Sequence, residues 1–417
     1  MSSCQRFILL CLTILPAFAN NWPAWRGPFE NGSTDETKFP TEWSATNHVK
    51  WRLPLPERGN SSPIVWKNRV FVTQAIGKQR ALLCIDRDQG KILWTAGPIY
   101  DSPETTYSEN NPYCASSPVT DGERVIAFFA SAGLYCFNFK GQELWHLDLG
   151  KIEHVFGYAS SPCLSGDLCY VYVGPGEEPQ SLVAVHKRTG KIAWKSETLM
   201  PRPHELAKVT TNGPPIGSWS TPIVIDNHGR KELIMSYAFR FGSYDAFKGG
   251  LLWEHDGFGL QTYVTPLWTD GLLIPMGATA TLAYRPPAPG QEKGEDLWSQ
   301  PKAKFRFGSA VTQGNYLFDI TENGLAECWD KTTGKILWQE RLQGPGKKTS
   351  SWSSVSMAGG KIYAPNQSGD VFVFAAEPAF HLLATNTISE PTNASLALSQ
   401  GSIFMRTDSA LWRFTGN

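Results

Sequence analysis

Aromatic and polar side chains recur just ahead of the short β-rich runs of this chain: Tyr113, His154, Phe156, Asn212, Trp219, Arg240, Tyr263, Arg306 and Trp352. Brought together, such groups could bind a small polar ligand, a sugar or a peptide by stacking and hydrogen bonding. They do not spell out a reaction. His154 has no identifiable partner that would make it a base. Asp256, Asp270 and Asp319 each have an ordinary explanation in a loop or at a strand end, and Glu177-Glu178 reads as a solvated turn. No Cys-x-x-Cys or His-x-His spacing argues for a metal. Cys163 and Cys169 flank the turn Ser165-Gly166-Asp167, so a disulfide across a hairpin is an expectation to test.

These side chains need elements to hold them, and the elements repeat. A small polar pair opens each unit: Ser61-Ser62-Pro63, Ser116-Ser117-Pro118, Ser160-Ser161-Pro162 and Ser220-Thr221-Pro222. Weaker openings follow at Thr265-Pro266, Ser309-Ala310, Ser353-Ser354 and Ala394-Ser395. That makes eight units, most of them 41 to 45 residues apart, with insertions at residues 99–111 and 197–217. Six units close on Gly-x-x-x-Trp, ending at Trp94, Trp145, Trp194, Trp253, Trp298 and Trp338. The glycine suits the left-handed position of a tight turn. The tryptophan, in the strand that follows, suits a packing device between neighbouring units. The seventh unit departs from the pattern, with Phe380-His381-Leu382-Leu383 in place of Gly and Trp.

A unit of this length fits a four-stranded propeller blade. One blade alone cannot bury both its faces, so neighbours must stack in a ring. The predicted fold is all-β, an eight-bladed β-propeller of four-stranded antiparallel blades. The last unit lacks its outer strand, and the segment around Trp51 supplies one. The ring is therefore predicted to close by pairing the N-terminal strand near Trp51 with the C-terminal blade, leaving no open sheet edge. In such a ring the loops leading into the inner strands gather at one mouth of the central channel. The candidate binding residues lie in those loops.

Bulk properties narrow the partners. Lys plus Arg and Asp plus Glu both total 38 in 417 residues, which removes any general electrostatic case for nucleic acid. Arg6, the apolar run 7–18 and Ala17-Phe18-Ala19 read as a signal peptide over residues 1–19, and no later stretch is long enough to span a bilayer. The expected layout is a signal peptide, an N-terminal extension over 20–47 and a propeller over 48–417. The mature chain is expected in the periplasm or outside the cell after cleavage near Ala19.

The phrases Leu82-Leu83-Cys84-Ile85-Asp86 with Gly90 to Trp94, and Thr332-Thr333-Gly334-Lys335-Ile336-Leu337-Trp338, resemble the tryptophan-docking repeat of quinoprotein alcohol dehydrogenases. The same repeat occurs in a cofactor-free branch that includes a periplasmic lipoprotein assisting outer-membrane β-barrel assembly. The opening Trp22-Pro23-Ala24-Trp25-Arg26-Gly27-Pro28 resembles a third group, exported quinone-repeat-like propellers of planctomycete-type bacteria. The likeness covers residues 22–417. For the dehydrogenases it implies pyrroloquinoline quinone with Ca²⁺, large insertions between blades and often an adjacent Cys-Cys pair. This chain has no such pair, and the calcium ligands cannot be placed on it. The expectation is therefore a non-catalytic scaffold, with no cofactor or metal, for an envelope protein, peptide or glycan. A quinone-dependent dehydrogenase with a reduced site stands second, and hydrolysis or lyase chemistry at the channel mouth third.

Overall fold

Each repeat forms one antiparallel sheet with its first strand nearest the axis. In the first blade Ile64–Trp66, Arg69–Ile76, Gln79–Asp86 and Ile92–Ala96 follow one another outward. The innermost strand is buried along its whole length, whereas the outermost is largely exposed. The computed structural model describes residues 20–102, 104–107, 109–176, 180–206, 215–277, 280–301 and 304–416. In it, seven four-stranded sheets and one five-stranded sheet make eight blades. Residues 1–19, read above as a signal peptide, Glu177-Glu178 and Asn212 lie outside the described residues. Among the described residues no helix is long and apolar enough to cross a membrane.

Closure follows the expected route. Val49–Pro54 pairs antiparallel with Ala410–Thr415 and becomes the outer strand of the eighth blade. The extension before it is woven into the ring as well. Ser33–Thr34 adds a parallel fifth strand inside the seventh blade, against Met357 and Ala358.

The tryptophans bridge blades. The indole N–H of Trp94 donates to Phe139 O of the next blade at 3.0 Å, Trp145 to Lys187 O at 3.0 Å and Trp194 to Ala246 O at 2.9 Å. Trp298 donates to Lys331 O at 2.8 Å, Trp338 to Glu377 O at 3.2 Å, and Trp51 to Arg87 O across the closure at 2.7 Å. Trp253 differs: its N–H donates at 2.9 Å to Glu232, a buried carboxylate of its own blade. A register shift beside this position recurs in the outer strand pair of all eight blades. Such a bulge turns the side chain next to it.

The closing glycines have a second reason to be glycine. A Cβ at Gly141 would lie 2.7 Å from the Trp94 ring, and one at Gly90 would lie 2.6 Å from Trp51. Gly294 departs from the expected pattern, because its backbone is not left-handed and it packs on Tyr284 instead. At the seventh seam, where the repeat has no tryptophan, Trp43 of the extension fills the gap. Its ring centroid lies 6.3 Å from Tyr363 of the seventh blade and 5.6 Å from Phe414 of the eighth.

At the axis, the opening pairs form a closed circuit. The amide of Ser62 donates to the hydroxyl of Ser117, Ser117 to Ser161, Ser161 to Thr221 and Thr221 to Thr265, at 2.8–3.3 Å. Thr265 donates to Ser309, Ser309 to Ser354, Ser354 to Ser395 and Ser395 back to Ser62, at 2.9–3.0 Å. Each inner strand thereby satisfies a buried N–H of its neighbour, which a short strand near the axis cannot do through a ladder.

The expected disulfide is corrected. Cys163 pairs in register with Tyr170 and Cys169 with Leu164, so the two thiols face opposite sides of the blade. Each packs into a different core cluster, and both are free. Adjacent strand positions alternate between faces, and the hairpin's register puts these two a step out of phase.

Candidate functional site

The backbone ahead of each inner strand is extended, so every second residue turns toward the axis. Two residues before the eight circuit hydroxyls stand Asn60, Ala115, Ala159, Trp219, Tyr263, Phe307, Trp352 and Asn393, one per blade. All eight line a cavity of about 550 Å³ at the channel mouth, with the hydroxyl-bearing Ser62, Ser117, Ser161 and Ser395 beneath them.

The wall is asymmetric. Blades four to seven contribute consecutive rings: Trp219 stacks on Tyr263 at 4.8 Å, Tyr263 meets Phe307 at 4.5 Å, and Phe307 stacks on Trp352 at 4.2 Å. Blades two and three present only alanines, which leaves room that the loop inserted before blade two partly fills. Asn110 O of that loop accepts from Asn60 at 2.7 Å and from Asn393 at 3.0 Å, tying together the two amides of blades one and eight. Asn111 donates to Phe156 O at 2.8 Å, and Tyr107 packs on the Phe156 ring at 5.8 Å.

The floor comes from the N-terminal extension. The backbone of Trp22 pairs with Val65 of the first inner strand, and Pro23 O accepts from Thr120 of the second. The chain then crosses the axis. Arg26 donates to Ala310 O at 2.6 Å and to Val355 O at 2.9 Å, in blades six and seven. Between these anchors Trp25 lies against the cavity. The Arg26 guanidinium is buried among carbonyls alone, and burial lowers its pKa to about 9.

Of the residues singled out by sequence, Phe156, Trp219, Tyr263 and Trp352 meet at this cavity. His154 stands behind them, edge-on to Trp219 at 5.0 Å. Its Nδ1 accepts from the Phe156 amide and its Nε2–H donates to Ile216 O, both at 3.2 Å. Three others face away. Tyr113 lies under the Arg80 guanidinium at 3.9 Å and donates to Glu104 O at 2.9 Å. Arg240 is buried against Glu205. Arg306 is buried within blade six, ion-paired to both Asp319 and Glu327. The strand period explains it: Phe305 and Phe307 face the cavity, so Arg306 between them cannot.

The remaining acids are also accounted for. Burial raises the Asp319 pKa to about 6 even with Arg306 beside it. Asp256 pairs with Arg202 at 3.0 Å, and Asp270 with Lys331.

Sequence reasoning missed Trp25, Asn60, Asn393 and Glu322. Glu322 is the one charged residue among the described lining residues. Pyrroloquinoline quinone is a polycarboxylate, and its usual companion is a divalent cation. The described lining offers no Arg or Lys for its carboxylates. No group of three or more His, Cys, Asp or Glu that could hold a metal occurs among the described residues. The residues present do not fit that cofactor.

Ring, docking tryptophans and central cavity define an eight-bladed propeller of the quinoprotein-like repeat class. Within that class, the chain belongs to the family described as outer membrane protein assembly factor BamB, whose model matches residues 40–197 and 288–376. It is 22% identical over 442 aligned residues to the polyvinylalcohol dehydrogenase of Sphingopyxis sp. (strain 113P3). That alignment covers 85% of this chain and 65% of the dehydrogenase, so the chain spans less than two thirds of that relative. BamB from Moraxella catarrhalis superposes with a TM-score of 0.61 at 12% identity, covering 88% of this chain and 99% of that one. Quinohemoprotein alcohol dehydrogenase from Comamonas testosteroni gives 0.69 at 10% identity, covering 95% and 80%. At these identities the solved structures speak for the fold.

Proposed function

We propose that this protein is an exported binding scaffold that receives part of an envelope protein, peptide or glycan in the cavity at its channel mouth. The observation that carries this reading is the unbroken aromatic arc from Trp219 to Trp352, which faces open volume rather than filling it. Partly buried rings that line a cavity beside fixed amides are the composition of a recognition site. The chemistry of the lining supports binding over catalysis, since no nucleophile–base pair converges among the described lining residues. The test is capture from envelope extract by the mature protein and by the Trp352→Ala variant. A specific partner held by the former and lost by the latter supports the reading; identical capture by both overturns it.

A quinone-dependent oxidoreductase is the second reading, favoured by the likeness to polyvinylalcohol dehydrogenase. The absence of Arg and Lys among the described lining residues argues against it. Stoichiometric uptake of pyrroloquinoline quinone with Ca²⁺, together with dye-linked alcohol oxidation, would reverse the order.

A further inference from the structure

Glu322 sits in the turn after the second strand of blade six. Its amide donates to Phe305 O at 2.8 Å and its carbonyl accepts from Ser351 N at 2.9 Å. The backbone is thus clamped between two lining segments. Glu322 lines the cavity, and its carboxylate makes no hydrogen bond or ion pair to any described residue. The other acids discussed above have a cation: Asp319 and Glu327 share Arg306, Asp270 has Lys331, and Asp256 has Arg202.

We propose that the cavity takes an organic cation with an apolar body, an alkylated ammonium group, with Glu322 as its counter-ion. The inference rests on the reading of the cavity as a binding site and names what that site selects. A negative charge in a concave, largely apolar wall, with no compensating cation among the described lining residues, lowers the free energy of a cationic guest and raises that of an anionic one. The rings supply the apolar contact. Trp219 and Tyr263 lie 13° from coplanar and Phe307 and Trp352 21° from coplanar, so these rings spend faces on each other. The preference for charge therefore belongs to the carboxylate more than to cation–π contact. An alkylammonium group suits such a wall better than a metal ion, because it sheds its weakly held water at little cost and keeps methyl groups against the rings.

The experiment is calorimetric titration of the mature protein with choline and with its neutral carbon isostere, 3,3-dimethylbutan-1-ol. Choline is expected to bind about tenfold more tightly or better, a preference that Glu322→Gln abolishes while leaving the isostere unchanged. A peptide bearing trimethyl-lysine, run beside choline, distinguishes a side chain from a free small molecule as the source of the cation. Equal affinity for choline and isostere in the unaltered protein overturns the proposal without recourse to a variant. So does a choline preference that survives Glu322→Gln. Capture of a neutral partner that depends on Trp352, with no response to either cation, removes the cation and leaves the binding cavity standing. Silence toward every probe and every extract removes both.

Discussion

The hydroxyl of Ser62 accepts the amide proton of Ser395 at 2.9 Å, joining the first inner strand to the last. It is the closing link of the eight-membered circuit. Ser62→Ala strips the Ser395 amide of its partner at a buried position. The expected cost is about 1–3 kcal/mol in urea unfolding. Ser62→Thr should recover most of it, because threonine already fills this role at positions 221 and 265. Equal midpoints for the alanine variant and the unaltered protein would show that the circuit contributes nothing.

Gly141 and Gly150 separate two effects. Both have positive φ, +81° and +90°, but a Cβ at Gly141 meets Trp94 whereas one at Gly150 meets nothing within 4 Å. Alanine at either site carries a left-handed penalty of about 1–2 kcal/mol. Gly141→Ala should lose about 1–3 kcal/mol more through overpacking. Matching losses in thermal melts would refute the docking role of the glycine.

Trp43 predicts a local effect. Trp43→Ala empties the seam between blades seven and eight, with an expected loss of about 3–5 kcal/mol. Hydrogen exchange should rise first in Leu382–Thr387 and Ala410–Thr415, the strands that flank it. Uniform exchange across all blades would contradict the seam assignment.

Burial lowers the pKa of His154 and outweighs the hydrogen bond to Ile216 O, which favours the protonated ring; Nδ1 already accepts from the Phe156 amide. A base with a depressed native pKa takes up its proton more readily when unfolded. Its contribution is therefore present above the ordinary imidazole value of roughly 6.5 and lost as pH falls through it toward the native value. The urea midpoint should drop between about pH 7.5 and 5.5, and His154→Gln should flatten that slope. An unchanged slope in the variant would assign the dependence elsewhere.

Arg306→Leu leaves Asp319 and Glu327 buried without their guanidinium. A loss of about 3–5 kcal/mol is expected. Cavity ligands should bind with unchanged affinity at temperatures where the variant is folded, because Arg306 faces the blade interior. A selective loss of binding would return Arg306 to the site.

The ring was legible because its devices are local and repeat. Serine pairs, Gly-x-x-x-Trp closings and the spare strand at Trp51 each state their role within a few residues. The site was half legible. The lead-in loops were found, but residues were chosen from them by chemical type, without regard to the alternation of extended backbone. Counting back two from each circuit hydroxyl yields one lining residue per blade, including Asn60 and Asn393, and rejects Arg306 at once. Trp25, Trp43 and Glu322 carry no such mark. The first two act on blades hundreds of residues away in sequence, and Glu322 lies in an ordinary turn.

The eighth blade is sewn from two segments far apart in sequence, three strands within residues 397–415 and one at Val49–Pro54. Throughout synthesis the early strand therefore waits without its partner. A polypeptide broken off before Ala410 keeps two bare flanks, whichever other blades have formed. Pairing of Ala410–Thr415 with Val49–Pro54 converts an open arc into a closed ring, and until it forms both strands keep an unpaired edge.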